Sequence, residues 1–333
     1  MIITKTPFRM SFFGGGTDME SFFTEYGGAV LSTTFDKYCY VNVRHLPRFF
    51  NYRSKITYSK IEQVNSTAEI QHPAVREAMK FLDVHDLIMS YDADLPARTG
   101  LGTSSSFAVG MLAAFHALKG EYASKKILAK EAIYLERVLC QESGGWQDQI
   151  AASFGGLNVI TFSADGFYIR PVIIAPQKKK ELNDNLLLFF TGISRLSSEI
   201  QKETVKGIRD KTKQLIEMKD LVYEAEKILT EKNNNLDEFG RILDWSWKLK
   251  RQTGSKISTE TIDGLYERAI AAGALGGKLL GAGGGGFLLF YVPLEKQSSL
   301  RFALKDLLEI PFQFETTGTE VIYYEPENHL SNE

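Results

Sequence analysis

Strands and helices that are partly segregated along the chain, a polar run near its middle and enough length for two hydrophobic cores predict an α+β fold of two domains. The 333 residues are 44% hydrophobic and 24% charged, which excludes a disordered chain and a small disulfide-stapled scaffold. Residues 2–6, 29–35 and 38–44 carry the β-branched and aromatic side chains of strands, with one helix over 19–26. Residues 72–82 read as a short helix with Pro73 in its first turn, and 87–91 as a strand. Residues 104–118 are interrupted only by Gly110 and are apolar on nearly every side, so they predict a buried helix. An apolar stripe of Ile127, Leu128, Ala132, Leu135, Val138 and Leu139 predicts a helix over 124–140, and a shorter one follows Gly145. Strand signals return over 155–174. The polar run 176–185 (PQKKKELNDN) is the strongest break and divides the chain into residues 1–180 and 181–333. Beyond it the pattern gives a strand at 186–190, amphipathic helices between 197 and 272, and closing strands at 275–280, 287–292 and 321–324. The elements do not alternate strictly, which argues against a doubly wound parallel sheet.

With 39 Lys and Arg against 41 Asp and Glu, the net charge of −2 creates no field that would gather nucleic acid or an anionic membrane. A small-molecule enzyme is the class this leaves, and a homo-oligomer stays open. Cys39 and Cys140 lie far apart without metal-ligand spacing, as free thiols of a reducing cytoplasm do. Residues 1–10 hold no extended apolar region, and the apolar stretches 186–190 and 287–292 fall far short of the roughly 20 residues that cross a bilayer. A cytoplasmic protein is expected. Many of its 28 glycines are clustered, at 14–16, 100 and 102, 144–145, 155–156, 276–277 and 283–286, as in a site assembled from several loops whose backbone approaches a ligand.

The most informative stretch is 96–110 (PARTGLGTSSSFAVG), a glycine turn that runs through hydroxyls into the predicted buried helix. Such a junction aims free backbone N–H groups and the positive end of a helix dipole at one point, which is an anion site. Thr103, Ser104, Ser105 and Ser106 add donors for phosphate oxygens; a serine-rich N-cap is the plainer alternative. A P-loop would need Lys followed by Ser or Thr after the second glycine, yet no Lys occurs before Lys119. A dinucleotide fingerprint would need glycine where Ser105 stands, and keeps only Glu121 in its favour.

Pro96, Gly100, Leu101, Gly102, Thr103, Ser104 and Ser105 resemble the second motif of the GHMP kinases, a family named for galactokinase, homoserine kinase, mevalonate kinase and phosphomevalonate kinase. Residues 7–18 (PFRMSFFGGGTD) are similar to its first motif and 278–290 (KLLGAGGGGFLLF) to its third, in the family's order. The resemblance implies a first domain like domain 2 of ribosomal protein S5, binding ATP within residues 1–180. It implies a ferredoxin-like α/β sandwich within 181–333.

The same resemblance implies the chemistry. A kinase must neutralise a triphosphate, hold a metal across its oxygens and orient an acceptor hydroxyl. Asp148, in the segment LERVLCQESGGWQDQIAASFGG, matches the catalytic aspartate; as a lone residue it would complement a helix N-terminus. Glu136 stands twelve residues earlier, the separation seen in galactokinase-like members, and together with Ser104 is assigned to Mg²⁺, with Glu142 as its competitor. Arg9 matches the basic residue near the transferring phosphoryl group. Gly100, Leu101, Gly102, Thr103, Ser104, Ser105 and Ser106, with Gly283 and Gly284 of the final loop, are assigned to ATP.

Galactokinases carry G-E-H-x-D in the first motif, where this chain has Gly15 and Gly16 followed by Thr17 and Asp18. The G-G-G-T-D form is similar to that of the D-glycero-D-manno-heptose 7-phosphate kinases, so Gly15, Gly16, Thr17 and Asp18 are expected beside a sugar phosphate. The segment 191–198 (TGISRLSS) offers Arg195 for the distal phosphate, with Arg44, Arg48, Arg53 or Arg98 as helpers. Another sugar 1-kinase of the fucose or galactose type, and a non-catalytic sugar and ATP sensor, are the alternatives. The pairs Trp245 with Trp247 and Phe49 with Phe50 read as packing or surface, and no histidine is assigned to catalysis.

Overall fold

A computed structural model describes residues 1–97, 99–193, 211–232 and 235–326. In chain order its elements are β1 (Ile2–Phe13), α1 (Glu20–Tyr26), β2 (Gly28–His45), β3 (Ser54–Thr57), β4 (Ile61–Val64), α2 (Pro73–Phe81), β5 (Leu87–Ala93), α3 (Thr103–Leu118), α4 (Lys125–Tyr134), α5 (Gln147–Phe154), β6 (Asn158–Ser163), β7 (Gly166–Pro171), α6 (Pro176–Asp184) and β8 (Leu186–Phe190). The later ones are α7 (Thr212–Thr230), α8 (Asp237–Gln252), α9 (Glu260–Ala271), β9 (Gly276–Leu279), β10 (Phe287–Tyr291), α10 (Gln297–Ala303), β11 (Leu308–Glu309), β12 (Phe314–Glu315) and β13 (Glu320–Tyr324).

A nine-stranded sheet follows the order β13-β1-β2-β5-β3-β4, with β12, β6 and β7 branching from it, and a four-stranded sheet runs β11-β8-β10-β9. The pairing of β3 with β5 is parallel, and the other ladders are antiparallel. The α+β reading therefore holds. The predicted strands at 29–35 and 38–44 are a single strand, β2. Its register on β1 slips between Pro7 and Phe8, so that Asp36 and Lys37 bulge out while the strand continues. The bulge is held by the Asp36 N–H donating to the Gln313 carbonyl and by the Gln313 N–H donating to Asp36 Oδ1, each at 2.9 Å.

Helix α3 is buried along its whole length except Ser104, as its all-round apolar sequence predicts. The helix predicted over 124–140 is α4, capped by the Ser124 side chain accepting from the Ile127 N–H, and it ends in a π-helical turn, Leu135–Leu139. A π-turn adds one residue to the helical circuit and re-aims what it carries; here it turns Glu136 inward to 2% exposure.

The break expected at 176–185 is itself a helix, α6, with Pro176 at its start. Leu182 and Asn183 are buried, and Asn183 accepts from the Phe314 N–H and donates to the Phe312 carbonyl. The division into 1–180 and 181–333 is corrected at the tail: β12 pairs with β2, and β13 pairs with β1 from Ile2↔Tyr324 to Lys5↔Glu320. One core joins the sheets, running from Phe8, Phe12 and Phe13 through Val222 and Phe239 to Phe287 and Tyr291. Among the described residues no helix is long and apolar enough to cross a membrane.

The returning tail crosses α5 at Gly155, which has φ +69° and ψ 170°, a conformation open essentially to glycine alone. A Cβ there would lie 2.0 Å from the Thr317 carbonyl carbon. Gly155→Ala should cost at least about 1–3 kcal/mol in strain alone. An unchanged urea midpoint would contradict the docking of the tail.

Candidate active site

Between the two sheets lies a cavity of about 840 Å³ bordered by β1, the turns before α1, α3 and α5, the end of α8 and the loop after β9. Its centre is Arg9, on a strand buried almost throughout. Arg9 is 3% exposed and grips Asp148 with a two-pronged fork, Nε to Oδ1 and Nη2 to Oδ2, both at 2.8 Å. Its Nη1 donates to the Gly100 carbonyl at 2.8 Å, and its backbone N–H donates to the Leu101 carbonyl at 3.2 Å. Asp148 sits in the first turn of α5, where the helix dipole favours a carboxylate.

On one side of the fork, Gly102 takes the left-handed conformation (φ 72°, ψ 23°) and turns the chain into α3, so Thr103, Ser104 and Ser105 open on the cavity at the helix N-terminus. The Ser104 hydroxyl donates to Glu136 Oε1 at 3.1 Å and that of Ser105 to Oε2 at 2.8 Å; Gln149 donates to the same carboxylate. Arg137 pairs with Glu136 at 3.6 Å and borders the cavity, as does Glu142. Ser104 borders the cavity and Glu136 stands directly behind it, so a hydroxyl and a carboxylate lie together as the hard oxygens that suit Mg²⁺.

On the other side lies Asp18, 3% exposed, accepting from the N–H groups of Gly16 at 2.9 Å and Gln147 at 3.2 Å. Burial first, and then the charge of Asp148, raise its pKa above the ordinary carboxylate value. Gly15, Gly16, Ser11 and Gln147 border this end, and Ser11 Oγ and Gln147 Oε1 are buried without a partner, as groups awaiting a hydroxylated ligand would be. At the far end Tyr58, His72, Tyr91 and Phe107 form an aromatic chamber with ring centroids 4.8–5.4 Å apart, and His72 Nδ1 also lacks a partner.

Several expected contacts are corrected. Ser106 turns into the core and donates to the Pro7 carbonyl at 2.9 Å, while the Leu101 side chain is fully buried. Thr17 does not border the cavity: it bridges the carbonyls of Gly14 and Ala29 and locks the turn. In the last loop Gly281 and Ala282 face the cavity, whereas the Gly284 N–H donates to the Ile257 carbonyl and a Cβ on Gly283 would meet Ile257 at 2.7 Å. Arg195 and Arg98 lie outside the described residues. Arg53 is committed to Asp86 through two 2.7 Å bonds, and neither it, Arg44 nor Arg48 borders the cavity.

Two cations were not foreseen. Lys250, at the end of α8, and Lys278, on β9, both border the cavity. Lys278 is 2% exposed and donates to the Phe12 carbonyl at 2.7 Å; burial, with the charges of Lys250 and Arg9, lowers its pKa well below the ordinary value. Lys250 donates to the Gly281 carbonyl, and burial followed by the charge of Arg9 pushes its pKa down to about 8 against the pull of Asp18 and Asp148. A lysine near the end of an amphipathic helix reads as solvated, and only the lysine opening the third motif could have been singled out.

Residues 67–156 match the model of the GHMP kinases N terminal domain, and 223–309 that of the GHMP kinases C terminal. A D-glycero-alpha-D-manno-heptose 7-phosphate kinase of Campylobacter jejuni is 30% identical, with 91% of this chain and 93% of that protein covered. A bifunctional fucokinase/GDP-fucose pyrophosphorylase of Arabidopsis thaliana is 32% identical over 69% of this chain and 22% of its own length. The crystal structure of a D-glycero-D-manno-heptose 1-phosphate kinase from "Bacteriodes thetaiotaomicron" has a similar fold, with a TM-score of 0.73, 24% identity, and coverage of 97% of this chain and 99% of that one. Fold and site together define a phosphotransferase that uses ATP and an alcohol acceptor. The chain belongs to the GHMP kinase family and is a sugar kinase of that type.

A Cβ on Gly145 would stand 1.8 Å from Asp18 Oδ2. Gly145→Ala should therefore dislodge Asp18 from its two N–H donors, cost about 1–3 kcal/mol of stability and raise KM for the acceptor more than KM for ATP. Equal effects on the two constants would separate Asp18 from acceptor binding.

Proposed function

We propose that the protein phosphorylates the anomeric O1 of D-glycero-D-manno-heptose 7-phosphate with ATP and Mg²⁺, giving the 1,7-bisphosphate for nucleotide-activated heptose synthesis. The observation that carries this reading is the Arg9–Asp148 fork, which borders one cavity together with Asp18 and with Ser104, whose hydroxyl is bonded to Glu136. Support for the heptose comes from the G-G-G-T-D turn, which leaves the acceptor end lined by Gly15 and Gly16, and from the Campylobacter jejuni relative matched over nearly its whole length. The match to the fucokinase segment keeps a fucose 1-kinase as the second reading.

In the proposed reaction the aromatic chamber receives the adenine. The amides and hydroxyls of Thr103, Ser104 and Ser105 hold phosphate oxygens. Asp18 accepts hydrogen bonds from sugar hydroxyls. Asp148, held in orientation by Arg9, accepts the hydrogen bond of the O1 hydroxyl and takes its proton as the O1–P bond forms and the bond from phosphorus to the ADP oxygen breaks. Ser104 and Glu136 hold Mg²⁺, which neutralises charge across the phosphate oxygens when bound.

An ADP-release assay with Mg²⁺ over heptose 7-phosphate, fucose, galactose, mannose 6-phosphate and mevalonate tests the substrate; turnover of mevalonate alone would overturn the sugar assignment. Asp148→Asn should lower kcat by about 10²–10⁴-fold, the span of general acid–base catalysis, and wild-type activity in that variant would remove Asp148 from the reaction. Glu136→Gln should raise the Mg²⁺ concentration for half-maximal rate by about 10-fold or more, a loss typical even of an outer-shell partner. An unshifted Mg²⁺ titration would point to Glu142 instead.

A further inference from the structure

The guanidinium of Arg9 is already engaged by three hydrogen bonds, two to Asp148 and one to the Gly100 carbonyl. Lys250 is differently placed. Its ammonium donates to the Gly281 carbonyl and, among the described residues, has no ion pair, which leaves two of its three N–H groups for a ligand. Gly281 lies against Gly100, since a Cβ on Gly281 would stand 2.3 Å from the Gly100 Cα, so Lys250 is tied to the seam between the second and third motif loops. That seam borders the cavity beside Arg9, between the hydroxyls of α3 and Asp18. Lys278 is a weaker candidate, being 2% exposed with its ammonium on the Phe12 carbonyl.

We propose that Lys250 is a catalytic residue outside the three motifs, whose ammonium contacts the γ-phosphate of ATP while Arg9 chiefly positions Asp148. The inference rests on the ATP-dependent reading given above. A buried ammonium is poorly stabilised when its neighbours include a guanidinium and no carboxylate bonds it directly. The charged groups facing Lys250 are Arg9 from β1, Asp18 from the turn before α1, Asp148 from α5 and Lys278 from β9. Asp148 is taken up by Arg9 and Asp18 by backbone N–H groups, so neither carboxylate bonds the Lys250 ammonium, and a triphosphate would supply that partner. During transfer Lys250 keeps its protons: the O1 proton passes to Asp148, phosphorus moves from the ADP oxygen to O1, and the ammonium follows the charge on the phosphoryl oxygens.

The test is nucleotide binding without sugar, by calorimetry with Mg²⁺, comparing ADP with ATPγS, whose terminal group is ionised throughout the pH range used. Lys250→Met should weaken ATPγS by about 10- to 100-fold, as loss of a charge-assisted hydrogen bond does, and leave ADP within about twofold; the retained ADP affinity also reports an intact fold. In the free wild-type site the lysine loses its proton as pH rises through about 8. The preference for ATPγS over ADP should therefore shrink between about pH 7 and about pH 9 in the wild type and persist in Lys250→Arg. An unchanged preference in Lys250→Met, or an equal loss for both nucleotides, would overturn the γ-phosphate contact. Wild-type protein that bound neither nucleotide would overturn the kinase reading itself.

Discussion

The buried fork between Arg9 and Asp148 is the constraint around which the rest of the site is arranged. A guanidinium at 3% exposure is tolerable only if its donors are met, and the chain meets them from two further places, Asp148 at the start of α5 and the Gly100 carbonyl before α3. The backbone obeys the same need, since the Arg9 N–H donates to Leu101 and a Cβ on Gly102 would approach Arg9 Cγ at 3.3 Å. One side chain thus fixes the turn before α3, the strand β1 and the helix α5 relative to one another, and Asp148 gains its orientation from a two-pronged pair whose guanidinium end is buried.

The second constraint is contact between loops remote in sequence. A Cβ on Gly100 would stand 2.3 Å from the Leu280 carbonyl oxygen, and one on Gly286 would stand 2.2 Å from that of Thr99. These loops touch backbone to backbone, with no room for side chains, so the glycine turn before α3 and the glycine run after β9 form one wall. The seam explains why a ligand pocket can lie between two sheets that share a core.

This is also why so much of the site was legible. Glycine spacing encodes where backbone must turn or approach, and residues of all three glycine motifs border one cavity, with Asp18, Ser104 and Asp148 on its wall and Glu136 bonded to Ser104. What the sequence hid depends on partners remote along the chain. Ser106 and Thr17 look like their hydroxyl-bearing neighbours, and only the packing of Pro7, Gly14 and Ala29 decides that they face inward. Residues 321–324 carry an obvious strand signal, yet nothing local says that the strand pairs with β1. The polar run at 176–185 reads as a break because its charges dominate, while Leu182 and Asn183 are enough to bury one side of a helix.

Lys250 and Lys278 show the same principle in electrostatics. A net charge of −2 describes the surface and solubility of the chain, and says nothing of a cavity where Arg9, Lys250 and Lys278 face Asp18 and Asp148. At low dielectric, local excess charge weighs far more than in water, because each uncompensated cation loses hydration that no surface carboxylate restores. Such a site is least comfortable when empty. Under the proposed reading, charge that would be a liability in a monotonously packed core becomes, at the junction of the two sheets, the part of the site that an incoming polyanion completes.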